Sequence, residues 1–279
     1  MRNKPTMLRS SQPLLYVLFA LLLGSCGTKK NNEQEKDQVK ASGTDWTLQM
    51  EDSGMEDYRA HWFLDGELAQ IEHTDKGMAF SAGPTNLDDA HHAVLWTRES
   101  FAGDVKIRYD YTRLDSQIIN VNILYIQATG TGEEGFDKDI SQWNEARKVP
   151  AMSTYWKNMN LLHVSYAAFP MVNEDPTNDY IRIRRYPAPT VEEFRKTEIP
   201  PSYERTGLFL PGVSYQLTWV KTDKELSLSV VGDGREEYFS WDLSSAAPVR
   251  EGRIGLRHMF TRSAAYRNIE IYTKMNTND

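Results

Sequence analysis

The residue types best able to act on a substrate stand in one alternating stretch, residues 158–169, Asn-Met-Asn-Leu-Leu-His-Val-Ser-Tyr-Ala-Ala-Phe. An imidazole such as His163 can serve as a general base, and a phenol such as Tyr166 as a general acid. The alternation predicts a β-strand with two largely apolar faces, Leu161, His163, Ser165 and Ala167 on one and Leu162, Val164, Tyr166 and Ala168 on the other. His163 and Tyr166 are therefore either hydrogen-bonded core groups or the floor of a binding site. They lie on opposite faces, so only a bulge would let both take part.

A run of arginines offers the complementary chemistry, the binding of an anion. In residues 180–186, Tyr-Ile-Arg-Ile-Arg-Arg-Tyr, the alternation places Arg182 and Arg184 on one face of a strand. A planar guanidinium binds a carboxylate or a sulfate through two parallel hydrogen bonds, and Arg257 near the C-terminus could join such a site. The alternative is that these arginines pair with the chain's own surplus of acidic residues.

Other side chains could contact a sugar. Asn120 and Asn122 share a face of another predicted strand and would suit hydroxyl groups. Trp143 and Trp156 could stack on a pyranose ring, although both suit a core or a loop anchor equally well.

The histidine pattern argues against a catalytic metal. His91 and His92 are adjacent, so a strand would point them to opposite faces, and the sequence contains neither His-x-His nor His-Glu-x-x-His. Either imidazole could still face a cleft as a base, and the pattern does not choose between them. The acidic segment 133–139 could hold a structural calcium ion, but its spacing matches no EF-hand, which favours a solvated loop. The sequence thus predicts no cofactor, with a structural calcium as the open alternative.

The elements that must position these residues are short strands. Thirteen alternating runs with turn residues between them predict one antiparallel β-sandwich over residues 45–279. The runs are 46–50, 71–74, 77–81, 93–97, 105–112, 120–127, 160–168, 180–186, 214–221, 225–231, 237–241, 252–260 and 265–272. Turn residues at 221–224 and 232–234 predict two hairpins.

Two longer inserts, 130–155 and 170–211, interrupt this rhythm. The first contains a predicted short helix from Asp139, and Thr190-Val-Glu-Glu in the second has the pattern of a capping box at a helix start. Inserts of this length in a compact β domain are usually functional loops over one end or face of a sheet.

The start of the chain predicts processing and a lipid anchor. Residues 1–25 combine a basic start with an apolar run, and Leu23-Gly24-Ser25-Cys26 resembles the lipobox of a bacterial lipoprotein. Cys26 is the only cysteine, so lipid on Cys26 would attach the protein to a membrane, and disulfides and thiol catalysis are excluded. Residues 26–44 are polar and charged and predict a flexible tether. We expect an exported lipoprotein, in the outer membrane on its periplasmic or cell-surface face.

The charge of the chain limits its partners. The formal net charge is −7, and it becomes −10 without the three basic residues of 1–25. A domain this acidic is a poor binder of nucleic acid, although local basic patches could still hold anionic ligands.

Three segments carry a resemblance to a known family. The C-terminal residues 252–271, ending in Tyr-Arg-Asn-Ile-Glu-Ile, and residues 95–115 resemble paired strands of concanavalin-like jelly rolls. Together with Asp89-Ala-His-His and residues 158–169, they make the chain similar to the YesU-like bacterial family found among polysaccharide-degradation genes. The resemblance implies an all-β, two-sheet jelly roll whose concave face holds carbohydrate. Related architectures include glucanases, polysaccharide lyases and lectins, so the fold alone does not choose a reaction.

Three functions remain in competition. A retaining glycosidase needs two carboxylates about 5–5.5 Å apart, and the Glu-x-Asp-x-x-Glu pattern of jelly-roll glucanases is absent, which leaves only dispersed acids such as Asp110 or Asp115. The cluster of His, Tyr and Arg favours an enzyme that eliminates from uronate-containing, possibly sulfated algal, oligosaccharides. The resemblance favours a dehydratase over a lyase of the same chemistry. The alternative of another class is a carbohydrate-binding lipoprotein without catalysis.

Overall fold

The computed structural model describes residues 46–274, and antiparallel strands make up about half of this range. In chain order the strands are β1 Thr47–Asp52, β2 Trp62–Asp65, β3 Gln70–Thr74, β4 Gly77–Ser81, β5 Ala93–Thr97, β6 Phe101–Ala102, β7 Asp104–Arg113, β8 Asn122–Gly130, β9 Met159–Ala168, β10 Tyr180–Tyr186, β11 Glu198–Glu204, β12 Ser214–Lys221, β13 Glu225–Gly232, β14 Arg235–Asp242, β15 Glu251–His258 and β16 Ser263–Lys274.

The strands form two sheets of eight, which pack face to face. Sheet A has the order β14-β13-β12-β7-β16-β4-β3, with β1 also paired to β16. Sheet B has the order β11-β10-β9-β8-β15-β5-β2, with β6 also paired to β15. The predicted concanavalin-like antiparallel sandwich is confirmed, and β9, which carries His163, lies inside sheet B.

An apolar cluster fills the space between the sheets. Alternate residues of each strand point into it, for example Leu162 and Val164 of β9 and Leu217 and Trp219 of β12. Complete burial of an apolar side chain of this kind contributes about 1.5–3 kcal/mol. With only one cysteine in the chain, these contacts hold the two sheets together without a disulfide.

A second apolar cluster covers the opposite, outer face of sheet B. Trp96 of β5 and Tyr125 of β8 lie under Trp143 and Tyr155, which come from the insert between β8 and β9. Sheet B is thus covered on both faces, as the two apolar faces of the 158–169 stretch predicted.

The alternation of β9 breaks at Ala167. This residue has a φ of 45°, which is uncommon for a residue other than glycine, and the register with β10 shifts between Tyr180 and Arg182. Ala167 therefore joins the cluster between the sheets and Ala168 the outer one. The predicted faces are right through Tyr166 and wrong for the two alanines. The bulge follows Tyr166, so it does not bring that phenol to the face of His163.

Short helices lie in the inserts and loops. They are α1 Met152–Asn158 and α2 Val191–Lys196, with 3-10 helices at Tyr58–Ala60, Asp89–His91 and Ile140–Arg147. The Thr190 side chain accepts from the backbone N–H of Glu193 and the Glu193 side chain accepts from that of Thr190, which confirms the capping box of α2. The helix predicted from Asp139 is a 3-10 run kinked at Asn144.

The sequence patterns missed three strands, namely β2, the two-residue β6 and β11. Strand β11 contains two consecutive prolines, Pro200 and Pro201, which disguise it, but it is an edge strand, where proline is tolerated. The predicted hairpins between β12 and β13 and between β13 and β14 are present.

Within residues 46–274, no helix is long and apolar enough to cross a membrane. The predicted signal 1–25, the lipidation of Cys26 and the tether 26–44 lie outside the described residues.

Candidate functional site

The outer face of sheet B is not completely covered, and a pocket of about 260 Å³ opens there. We call it the sheet-B pocket. Its strand residues are His163 and Ser165 of β9 and Tyr180, Arg182 and Arg184 of β10. Apolar side chains from the surrounding helices, loops and strand ends complete it: Val121, Met152, Trp156, Phe169, Met171, Phe194 and Met259.

The pairing of β9 with β10 sets the geometry of the pocket floor. Arg182 is opposite Ser165 and Arg184 is opposite His163 in the antiparallel register. Directly opposed side chains in such a pair lie close together on one face of the sheet. Two guanidinium groups and one imidazole therefore line the same pocket.

His163 is held by two hydrogen bonds. Its Nδ1 lies 2.7 Å from the Tyr186 hydroxyl and its Nε2 lies 2.7 Å from the Ser165 hydroxyl. Burial, and then the charges of Arg184, Arg257 and Arg182, lower the pKa of His163 well below its ordinary value. The imidazole is neutral at physiological pH, so it can accept a proton but is a weak base without a nearby anion.

Arg182 and Arg184 share one internal carboxylate. The Glu198 Oε2 atom lies 3.3 Å from Arg182 Nε and 3.1 Å from Arg184 Nη2, and Glu204 lies 3.2 Å from Arg182 Nη2. Pairing with the chain's own acids, the alternative that the sequence left open, thus takes place. These pairs are half-buried and fix both guanidinium groups at the pocket.

The same two arginines also lie against aromatic rings. The Arg182 guanidinium carbon is 4.5 Å from the centre of the Tyr180 ring, and that of Arg184 is 4.8 Å from the Phe194 ring. Arg184 additionally donates to the backbone oxygen of Phe194, at 3.1 Å, which ties helix α2 to the pocket.

Arg257 lies outside the lining of the pocket. It is completely buried, donates to the Pro150 oxygen at 2.6 Å, and packs against the Tyr155 ring at 4.9 Å. No carboxylate among the described residues pairs with it, and its Nε and Nη1 atoms have no hydrogen-bond partner. Arg257 is nevertheless near enough to lower the pKa of His163, so it places an unbalanced positive charge beside the pocket.

Tyr166 lies away from the pocket, contrary to its predicted role there. Its hydroxyl points between the sheets, 3.3 Å from the Tyr266 hydroxyl, among the rings of Tyr111 and Trp219. A regular strand up to this residue sends its side chain to the core face, and the pocket is on the other face.

The predicted asparagine pair does not share a face. Asn122 is buried between the sheets, where its amide donates to the Tyr111 hydroxyl at 2.6 Å. Asn120 precedes β8 in a left-handed conformation, with a φ of 65°, and its amide donates to Asn86 at 2.9 Å. Both side chains are completely buried, so neither offers its amide to a sugar. They do not share a face because β8 begins at Asn122, two residues later than the pattern indicated.

His91 and His92 also lie outside the lining of the pocket. They end a 3-10 helix, not a strand as assumed, and are near Asp88 and Asp89 at 3.7 Å and 3.1 Å respectively. His92 is buried against Phe260, and burial, followed by the charge of Arg257, lowers its pKa to about 2. The polar contacts of the two imidazoles are thus made within the segment before β5, not at the pocket.

Two polar residues of the site were not singled out by the sequence. Tyr186 continues the alternation of Tyr180, Arg182 and Arg184 on β10, so strand parity could have identified it. Ser165 follows His163 on the same face of β9, but a serine in an apolar strand gives no signal by itself. Of the two tryptophans proposed for stacking, Trp156 lines the pocket and Trp143 is buried in the outer cluster.

The acidic segment 133–139 is used within the fold. Asp139 caps the 3-10 helix and lies 2.9 Å from Arg253, and Asp137 accepts from the backbone N–H of Asp139 at 2.8 Å. Across residues 46–274, no three His, Cys, Asp or Glu side chains gather in a way that could hold a metal ion.

Comparison with known proteins places the chain among proteins of similar fold. Residues 50–271 match the family described as "Domain of unknown function (DUF1961)". The curated proteins give no match. A protein of unknown function with a galectin-like fold from Bacillus subtilis is 16% identical, with 81% of this chain and 97% of that chain covered and a TM-score of 0.61.

Two lectin-like structures are also similar. The exoplasmic/lumenal domain of VIP36, in its Ca2+/Man3GlcNAc-bound form, is 10% identical over 83% of this chain and 93% of that chain, with a TM-score of 0.52. A legume lectin-like domain from Entamoeba histolytica is 8% identical over 81% and 97%, with a TM-score of 0.50. At these identities the likeness is one of fold.

Proposed function

Because the chain belongs to the DUF1961 family and folds as a lectin-like jelly roll, we propose that it binds an acidic carbohydrate in the sheet-B pocket. The observation that carries this proposal is the combination of aromatic walls and arginines around one pocket. Trp156, Tyr180 and Phe194 offer apolar surface for the C–H face of a sugar ring. Arg182 and Arg184 offer N–H groups for a carboxylate or sulfate on that ring.

The internal carboxylate of Glu198 is compatible with this role. A guanidinium has five N–H donors, and Glu198, Glu204 and the neighbouring polar groups use only part of those on Arg182 and Arg184. The ion pairs with Glu198 and Glu204 hold both guanidinium groups in place before a ligand binds, which lowers the entropic cost of binding.

The charge near the pocket favours an anionic ligand. Arg257 is buried without a carboxylate partner, and an isolated buried charge is costly. A carboxylate in the sheet-B pocket would offset part of that cost. The structure of VIP36 with Man3GlcNAc is a case in which a protein of similar fold holds a saccharide.

A second candidate function is elimination from a uronate, supported by the hydrogen bond of 2.7 Å between His163 and Tyr186 at this pocket. The proton on C5 of a uronate is acidified by the adjacent carboxylate, which the arginines would hold. His163 would accept that proton, the C4–O bond would break as a C4=C5 double bond forms, and the protonated imidazole would return the proton to the departing oxygen. If C4 carries a hydroxyl, water leaves and the enzyme is a dehydratase; if it carries a sugar, the chain is cleaved and the enzyme is a lyase.

The ligand itself would prepare the base for this reaction. A carboxylate near His163 counteracts the arginine charges that lower the imidazole pKa, and so makes proton transfer from C5 more favourable. The resemblance to the YesU-like family leads us to prefer the dehydratase over the lyase. A lipid on Cys26 would place the activity at a periplasmic or cell-surface membrane face.

Calorimetric titration of the full chain in detergent, with uronate oligosaccharides and matched neutral ones, tests binding. Arg184→Gln should weaken binding of the uronate ligand by about tenfold or more, because a charged hydrogen bond contributes about 1.5–3 kcal/mol. The matched control is Arg108→Gln, whose Arg108–Glu270 pair of 2.8 Å lies in sheet A. Equal binding of neutral and acidic sugars, or equal loss in both variants, would contradict an acidic-sugar site here.

A further inference from the structure

We propose that a second pocket, across Phe169 from the sheet-B pocket, is a further subsite for the same saccharide, so that the ligand is an oligosaccharide of several residues. This inference rests on the proposed carbohydrate binding. The second pocket has a volume of about 480 Å³ and is lined by side chains that include Ser116, Ile118, Phe169, Thr177 and Leu210. We call it the loop-end pocket, because it lies where the loops after β7, β9 and β11 meet.

The two pockets are neighbours along one loop. Phe169 lines both, although its side chain is almost completely buried. The loop that follows Phe169 gives Met171 to the sheet-B pocket and Thr177 to the loop-end pocket. At the end of the same loop, the adjacent residues Asp179 and Tyr180 line different pockets. Phe169 is thus a wall that the two pockets share.

The walls of the loop-end pocket are tied to each other. The buried Asp179 carboxylate accepts the backbone N–H groups of Thr206, at 2.9 Å, and Gly207, at 3.2 Å, and also the Thr206 hydroxyl. Arg205 donates to the Thr177 hydroxyl at 2.6 Å and pairs with Asp175 at 3.0 Å. The loop after β9 and the loop after β11 thus form one preformed wall, which suits ligand binding at low entropic cost.

The floor of the loop-end pocket is apolar and its rim is polar. The Arg113 guanidinium also lines the pocket, with its carbon 5.2 Å from the centre of the Phe169 ring. Ile118 and Leu208 continue the floor. Ser116, Thr177 and Arg205 stand at the rim with hydroxyl and N–H groups. A pyranose has the matching shape, since its C–H face is apolar and its edge carries hydroxyl groups.

The charges of the two pockets suit them to different sugars of the same ligand. The sheet-B pocket has Arg182, Arg184 and the nearby Arg257, and it would fix the acidic sugar. In the loop-end pocket, Asp179 is committed to the backbone. The two arginines of this pocket, Arg113 and Arg205, are paired with Asp115 at 3.2 Å and Asp175 at 3.0 Å. Its contribution would be contact area and hydroxyl hydrogen bonds to a neighbouring sugar.

The test compares a disaccharide and a hexasaccharide of the same uronate, titrated into the full chain in detergent. We expect wild-type protein to bind the hexasaccharide at least about tenfold more tightly than the disaccharide. Ser116→Trp, which places an indole at the exposed rim, should remove that gain and leave disaccharide binding unchanged. Ser100→Trp is the matched control, because Ser100 is also exposed and follows β5 at the opposite end of sheet B.

Arg205→Ala provides a second variant that adds no bulk, and it should weaken hexasaccharide binding alone. Tight disaccharide binding with no gain for the hexasaccharide overturns this proposal and leaves the proposed function standing. A gain that survives both Ser116→Trp and Arg205→Ala overturns it as well. If no uronate saccharide of either length binds wild-type protein, the proposed function fails, and the second subsite fails with it.

Discussion

Arg184 of β10 is directly opposite His163 of β9, and the guanidinium charge is the first cause, after burial, that lowers the pKa of the imidazole. The register of one antiparallel pair thereby brings a cation and a proton acceptor to the same pocket. The imidazole stays neutral as long as the pocket contains no anion, and a bound carboxylate would shift it toward the protonated form.

The stability of the fold should fall as the pH falls below about 6.5. Burial is the largest cause that lowers the pKa of His92 to about 2, that of His258 to about 3 and that of His163 well below its usual value. The unfolded chain therefore binds protons that the folded chain does not, which favours unfolding as the pH decreases. Asp65 acts in the opposite direction, because burial raises its pKa to about 6.

As the pH falls, the three histidines lower the unfolding free energy and Asp65 raises it. The net effect is a slope of about 3 kcal/mol per pH unit between about pH 6 and pH 5. Urea unfolding at about pH 6 and at about pH 5 measures it. His92→Phe removes one of the three groups and keeps a ring against Phe260, so it should reduce the slope by about 1 kcal/mol per pH unit. Equal unfolding free energies at the two pH values would contradict the neutral, buried state of these imidazoles.

Some of the site was predictable from the sequence, because strand parity is local. Alternation alone put His163 with Ser165, and Arg182 with Arg184, on single faces, and the structure has both pairs in one pocket. Parity also separated His163 from Tyr166. The bulge at Ala167 was not predictable, since nothing in Tyr-Ala-Ala-Phe marks a left-handed residue there.

Long-range features of the site were beyond the sequence patterns. One hydrogen-bond partner of His163 is Tyr186 on the neighbouring strand, and this contact follows from the pairing of β9 with β10. The pattern predicted that Asn122 binds a sugar, but its amide donates to the hydroxyl of Tyr111 in sheet A. Arg257 was predicted to bind the ligand, but it is completely buried and donates to the oxygen of Pro150, in the insert between β8 and β9.

Replacing Arg257 should separate binding from stability. Arg257→Met removes a buried charge that has no carboxylate partner, so the unfolding free energy should stay within about 1 kcal/mol of wild type, while binding of a uronate ligand weakens by about tenfold. Arg262→Met is the comparison, because Arg262 is equally buried but lies 3.1 Å from Asp115. Arg262→Met should lower the unfolding free energy by about 3 kcal/mol, because it breaks a buried ion pair. Denaturant unfolding and calorimetry measure both quantities, and a similar large loss of stability in both variants would show that Arg257 is structural.

Lipidation at Cys26 is tested by fractionation of cells. Cys26→Ser should move the protein from the membrane fraction to the soluble fraction, since the lipid would be the attachment. Ser42→Ala, a change of a hydroxyl in the predicted tether, should leave the protein in the membrane fraction. Unchanged membrane association of Cys26→Ser would contradict the lipid anchor.

The elimination reaction is tested by two tyrosine variants that differ in the face of sheet B to which the phenol belongs. Tyr186→Phe removes the hydroxyl that lies 2.7 Å from His163, and Tyr166→Phe removes one that lies between the sheets against Tyr266. If His163 accepts the C5 proton, loss of the Tyr186 hydroxyl should reduce the rate by about 100-fold or more, because positioned acid–base groups contribute that much. Tyr166→Phe should keep the rate within a few-fold.

Mass spectrometry of uronate oligosaccharides gives the readout: loss of one water at constant length identifies a dehydratase, and shorter unsaturated products identify a lyase. Substrates that bind but stay unaltered with wild-type protein would leave binding as the function, and equal rates for Tyr186→Phe and wild type would rule out this pair as the proton-transfer groups.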